Sequence, residues 1–216
     1  ISVLRELGGY SEVAKAMLAK RLARLDDNPR LAGCGRERLQ DQLEHRIPEA
    51  REEVQHYLHR MTLVPRQGAG SGPNSRGASP RYARVVGSHP EATLQADELR
   101  AWGRIDLLTV GPVQVDITEY KTGTEDESHF DQLRFYAVLW DQDNVSNSSR
   151  TPLGTLTASY PNREVTIEAP DAAQVQTLAQ QLRARVTTAD ELVHSDEPAA
   201  RPGDHCAFCA VRPLCT

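Results

Sequence analysis

Between Ala101 and Lys121 the chain alternates apolar and polar residues about a Gly111-Pro112 turn, the pattern of a half-buried β-hairpin. The apolar positions are Trp102, Ile105, Leu107, Leu108 and Val110 before the turn, then Val113, Val115 and Ile117 after it. The same hairpin carries Gly103-Arg104-Ile105-Asp106 on its first strand and Glu119-Tyr120-Lys121-Thr122-Gly123 at the end of its second. Side chains on a strand repeat every two residues, so Glu119 and Lys121 project from one face while Asp116, Thr118 and Tyr120 project from the other.

An acid beside a lysine on a strand is ordinarily a solvated ion pair. Asp106 changes that reading, because the hairpin can bring its carboxylate toward Glu119, and two like charges in one site call for a cation. Mg²⁺ or Mn²⁺ takes hard oxygen ligands, keeps several waters and shares its shell with a substrate phosphate. Asp106, Glu119 and the main-chain carbonyl of Tyr120 suit such an ion. Lys121, about one pleat away, is placed to orient or deprotonate an attacking water and to offset charge on a phosphate. Lysine is scarce: Lys15, Lys20 and Lys121 are 3 of the 25 basic residues, leaving 22 arginines. Its use here points to a compact ammonium rather than a planar guanidinium.

These motifs resemble the PD-(D/E)XK nuclease superfamily, and within it the RecB-like branch, where a Gly-Arg-Ile-Asp strand precedes an acid-x-Lys-Thr-Gly strand. In that branch a helix with a Gln-x-x-x-Tyr pattern follows the lysine. Gln132-Leu133-Arg134-Phe135-Tyr136 matches it, within a segment, Ser128 to Leu139, of helical spacing. Read alone, Leu133, Tyr136, Ala137 and Trp140 are equally the buried stripe of an amphipathic helix. The resemblance implies that Gln132 and Tyr136 line the site and contact DNA, and Arg104 joins them as a substrate-binding residue. It also implies Asp106, Glu119 and Lys121 as the catalytic set. Many members add a metal-binding histidine from an earlier helix. Among His45, His56 and His59, His59 lies nearest the family-like distance from Cys34, although the helical glycine expected before it is missing. Glu91 resembles the acid of the preceding strand and is an accessory candidate.

Four cysteines form the second signal: Cys34 stands alone, and Cys206, Cys209 and Cys215 close the chain as C-x2-C-x5-C. Four thiolates make one tetrahedral site, and spacing alone leaves zinc and an iron–sulfur cluster equally open. The resemblance implies a [4Fe–4S] cluster, because CRISPR-associated RecB-like exonucleases and the AddB nuclease domain hold one with a cysteine before the core and three after it. Such a cluster clasps the two ends of the chain mechanically.

The order of elements predicts an α/β, restriction-endonuclease-like core with a mixed central sheet flanked by helices. We divide it into an N-terminal helical region (1–65), a flexible Gly/Ser/Pro/Asn loop (66–80), the core (81–190) and the cysteine-bearing tail (191–216), one structural domain overall. The expected helices are Val3 to Leu25, with an early break at Gly8-Gly9, Arg36 to Ile47, Pro48 to Met61, and Ala169 to Val186. Asp141 to Arg150 reads as polar loop, and Thr155 to Tyr160 with Glu164 to Glu168 as a hairpin. No run spans a membrane, and nothing at the N-terminus resembles a signal peptide, so a cytoplasmic location is expected. The net charge of −5 is unhelpful to a nucleic-acid binder. It argues for local basic patches and for a helicase or other protein subunit that delivers DNA, single-stranded or ended. The expected activity is Mg²⁺/Mn²⁺-dependent hydrolysis of DNA, as an exonuclease. The alternatives are a nuclease-like subunit that binds DNA or a partner without cutting, and a zinc-stapled interaction domain.

Overall fold

The computed structural model describes residues 9–27, 35–67, 82–195 and 202–209. The chain divides into two compact units, Ile1–His56 with Ser195–Thr216, and Tyr57–His194. Cys34, Cys215, most of the expected 66–80 loop and the start of the expected Val3 helix lie outside the described residues.

In the first unit, α1 (Tyr10–Leu22) follows Gly9, whose φ of 87° favours glycine. It packs against α2 (Arg36–Glu44), and Leu22, Leu25 and Ile47 are buried. Helix α3 (Ile47–Arg60) ends with a turn that belongs to the second unit. Tyr57 of α3 is buried, while the apolar Val54 and Leu58 of the same helix are exposed.

The second unit is a five-stranded sheet in the order β1 (Gly87–Ala96), β2 (Ala101–Val110), β3 (Val115–Tyr120), β4 (Leu153–Ser159) and β5 (Glu164–Glu168). All neighbours are antiparallel except β3 and β4, which run parallel. A parallel pair needs a crossover, and α4 (Glu127–Gln142) supplies it. Asp126 caps α4 by accepting from the Ser128 amide at 2.9 Å. The Asp171–Gln174 capping box starts α5 (Ala172–Val193), which runs a turn or more past its expected end at Val186. Leu133, Ala137, Leu139 and Trp140 of α4 join Ile105, Leu108, Ile117 and Leu156 of the sheet in one buried core. Each such aliphatic side chain contributes about 1.5–3 kcal/mol by leaving water. The architecture is the expected restriction-endonuclease-like α/β core, a mixed sheet flanked by helices.

The second unit starts at Tyr57 because its hydroxyl donates to the Lys121 carbonyl at 2.5 Å and Arg60 donates to the carbonyls of Tyr160 and Pro161. The alternation in the hairpin is less regular than its sequence. Trp102 and Val113 are 69% and 73% exposed, so neither belongs to the core face. The buried positions of β2 are Ile105 and Leu107, then Leu108 and Val110, a change of face just past Asp106. Across the ladder, between the pairs Pro90↔Leu107 and Ala92↔Ile105, Glu91 takes a φ of 54°. The segment expected as polar loop after α4 is ordered around Asp143. That carboxylate is fully buried and accepts from the amides of Gln95, Val145 and Ser146.

Candidate active site

The β2–β3 ladder has its last pair at Leu107↔Thr118. One step further, carboxylates take over the backbone donors: Asp106 Oδ2 accepts from the Tyr120 amide at 2.8 Å, and Glu119 Oε2 accepts from the Asp106 amide at 3.4 Å. The motif is therefore built into the end of the sheet, with each acid fixed by the other's strand. Glu119 shares the buried face of β3 with Val115 and Ile117, as strand parity requires, and is only 6% exposed.

Lys121 follows β3 and is fixed through its backbone, its amide donating to the Ser159 carbonyl at 2.8 Å. Its ammonium lies 3.4 Å from Glu119 Oε1 and donates to Gln132 Oε1. The Gln132 amide donates to Glu119 Oε1 at 2.9 Å and to Tyr136 Oη at 2.7 Å, and that hydroxyl donates to the Arg104 carbonyl at 2.8 Å. Gln132 and Tyr136, one turn apart on α4, thus bridge β2, β3 and Lys121. Gly103 permits this approach: a Cβ there would stand 2.9 Å from both Leu139 Cδ1 and Tyr136 Cε1.

Burial, and after it the Asp106 charge, hold the Glu119 carboxyl above the usual carboxylate range, with Lys121 opposing them. Burial pushes the Tyr136 hydroxyl up to about 12, so it remains a donor. The residues fit a divalent cation in charge and donor chemistry: two hard carboxylates face each other with one ammonium beside them. Among the described residues no third His, Cys, Asp or Glu joins them in a group that could hold a metal.

The structure thus brings together Asp106, Glu119, Lys121, Gln132 and Tyr136. Arg104 contributes its carbonyl, while its guanidinium turns to Glu91 at 2.9 Å. His56 and His59 are exposed on α3, and His45 Nδ1 lies 2.7 Å from the Asp41 carbonyl. Cys206 and Cys209 are free thiols one turn apart, and the Gly203 amide donates to Cys206 Sγ at 3.4 Å. Sequence reasoning missed Tyr57, whose ring meets that of Tyr120 edge-on at 5.3 Å, and His129, 2.9 Å from Tyr160 Oη. Tyr57 lies two residues before His59, and His129 one turn before Gln132. A cleft of about 610 Å³ lined by Ile167, Pro170, Gln174 and Leu178 holds none of these residues.

No curated protein matches the chain. Nineteen chains of solved structures do. One of them, described as the crystal structure of SSO0001, is 18% identical with a TM-score of 0.35, over 59% of this chain and 60% of that one. This chain therefore spans about 60% of its length, and so slight a likeness carries no argument. A family model matches residues 4–216, nearly the whole chain. The match covers the mixed sheet, the paired acids and the lysine alike: the chain belongs to the PD-(D/E)XK nuclease superfamily.

Proposed function

We propose that the chain is a metal-dependent DNA nuclease of the RecB-like branch, an exonuclease acting on single strands or DNA ends. One observation carries this reading: Asp106, Glu119, Lys121, Gln132 and Tyr136 form one hydrogen-bonded network at the C-terminal end of β3, where open α/β sheets hold ligands. Asp106 and Glu119, with the Tyr120 carbonyl, would hold Mg²⁺ or Mn²⁺, and His59 is the proposed histidine ligand from α3. The cation, when bound, supplies Lewis acidity toward the phosphate and lowers the pKa of water.

The chain's own residues do the rest. Gln132 fixes both Glu119 and the Lys121 ammonium, so neither has to reorganise as charge builds. Lys121 keeps a further N–H for the attacking water or for a phosphate oxygen. Tyr136, tied to the Arg104 carbonyl, locks Gln132 in place, and the Arg104 guanidinium is the DNA contact on this strand. The four cysteines, Cys34, Cys206, Cys209 and Cys215, hold a [4Fe–4S] cluster as a clasp. Support comes from the free thiols of Cys206 and Cys209 in one turn and the amide aimed at Cys206.

A second reading, a subunit that binds DNA or a partner without cutting, is favoured by a specific observation. Both Glu119 oxygens already accept hydrogen bonds, and no third ligand joins the acids among the described residues. Degradation of labelled single- and double-stranded DNA with Mg²⁺ or Mn²⁺ separates the two. Lys121→Ala should lower the rate by about 10²–10³-fold, the scale of one lost electrostatic donor. Equal rates in wild type and variant contradict the catalytic role of Lys121, and a wild type that binds DNA without degrading it selects the second reading.

A further inference from the structure

The stripe of α4 that builds the site continues one turn toward its N-terminus. His129, Gln132 and Tyr136 stand at i, i+3 and i+7, on one side of the helix. His129 is half-buried, with Nδ1 2.9 Å from Tyr160 Oη and the two rings 5.8 Å apart. Tyr160 directly follows Ser159, whose carbonyl receives the Lys121 amide. His129 and Lys121 are therefore both tied to the C-terminal end of β4, one through the Tyr160 hydroxyl and the other through the Ser159 carbonyl.

The Tyr160 contact leaves one ring nitrogen of His129 for a ligand. The Tyr160 hydroxyl receives a backbone hydrogen bond from Asp126, and burial holds it above the usual tyrosine range, so it keeps its proton. When that proton is given to His129 Nδ1, the ring N–H stands on Nε2. Nε2 has no partner among the described residues. The nearby guanidinium of Arg163 is committed to Glu125 and to the Tyr160 ring at 5.9 Å. The ring thus stands one helical turn before Gln132 and is tied to the residue after β4, the strand that pairs with β3.

We propose that His129 donates from Nε2 to the DNA backbone phosphate next to the scissile one, a role that rests on the nuclease reading above. Tyr160 acts behind it as a positioning residue. The contact sets the register of the strand, since phosphate contacts position a nucleic acid without reading its sequence.

The test measures binding of a fluorescent single-stranded oligonucleotide with Ca²⁺ in place of Mg²⁺, with one neutral methylphosphonate linkage walked along the strand. At one position the wild type should lose about tenfold in affinity. His129→Ala should bind the unmodified strand about tenfold more weakly and lose nothing further at that position, while His129→Gln, which keeps an N–H, recovers most of the loss. Tyr160→Phe should fall between wild type and His129→Ala. If His129→Ala responds to the methylphosphonate as wild type does, the contact is wrong, and since both measurements are made within one variant, altered stability cannot mimic this result. Failure of the nuclease reading is seen separately: wild type then binds DNA in Ca²⁺ but releases no nucleotide in Mg²⁺, whatever His129 does.

Discussion

Glu119 is the residue on which the site's energetics turn. It lies on the buried face of β3, next to a second carboxylate, and is held by an ammonium and an amide. Its raised pKa means that the folded chain binds this proton more tightly than the unfolded chain does. The stability linked to it is fully present below the unfolded value, about 4.3, and is lost as pH rises through the higher folded value. Glu119→Gln removes that dependence. In EDTA at neutral pH the variant should melt higher than wild type by about 2–4 °C, the shift that accompanies about 1 kcal/mol in a domain of this size. Adding Mg²⁺ should raise the melting temperature of wild type and leave the variant unmoved, because a ligand stabilises only the form that binds it. An equal Mg²⁺ shift in both proteins would separate the metal from Glu119.

At the scale of the elements, α4 carries the site and β2 receives it. The meeting point is Gly103, which a methyl group would bring to 2.9 Å from Leu139 and Tyr136. Gly103→Ala should cost about 1–3 kcal/mol by overpacking, read as a shift of the urea midpoint. It should also displace Gln132 and Tyr136, so cleavage by the remaining folded protein falls too, and full activity in a destabilised variant would remove α4 from the mechanism. The strands, α4 and the relation of Glu119 to Lys121 were legible in the sequence because they follow local periodicity, and Gly-Arg-Ile-Asp announced itself as a motif. The contact that makes Gly103 necessary was not legible, since its partners lie more than thirty residues on. Nor was the outward turn of Trp102: alternation predicts a buried ring, but β2 changes face beside the irregular Glu91. The family resemblance suggested a histidine ligand from α3, whereas Tyr57 is the α3 residue whose hydroxyl reaches the Lys121 carbonyl. Periodicity names a face without saying which atom on it reaches a neighbour.

At the scale of the whole molecule, a parallel β3–β4 pair inside an otherwise antiparallel sheet fixes where chemistry can occur. The crossover through α4 brings its first turns to the C-terminal ends of both strands, where Lys121 and Tyr160 emerge. The proposed clasp acts at this scale as well. Protein purified without air should be brown and hold about four irons per chain. Cys206→Ser should lose the iron and melt lower, whereas colourless protein with stoichiometric zinc would contradict the cluster. The central claim is that the paired acids serve a cation in cutting DNA. The most direct measurement is the rate of nucleotide release from labelled DNA with Mg²⁺ and with EDTA, for wild type and Asp106→Asn. The account predicts Mg²⁺-dependent release that falls by about 10²–10³-fold in the variant. Release that is indifferent to Mg²⁺, or equal in Asp106→Asn, would contradict it.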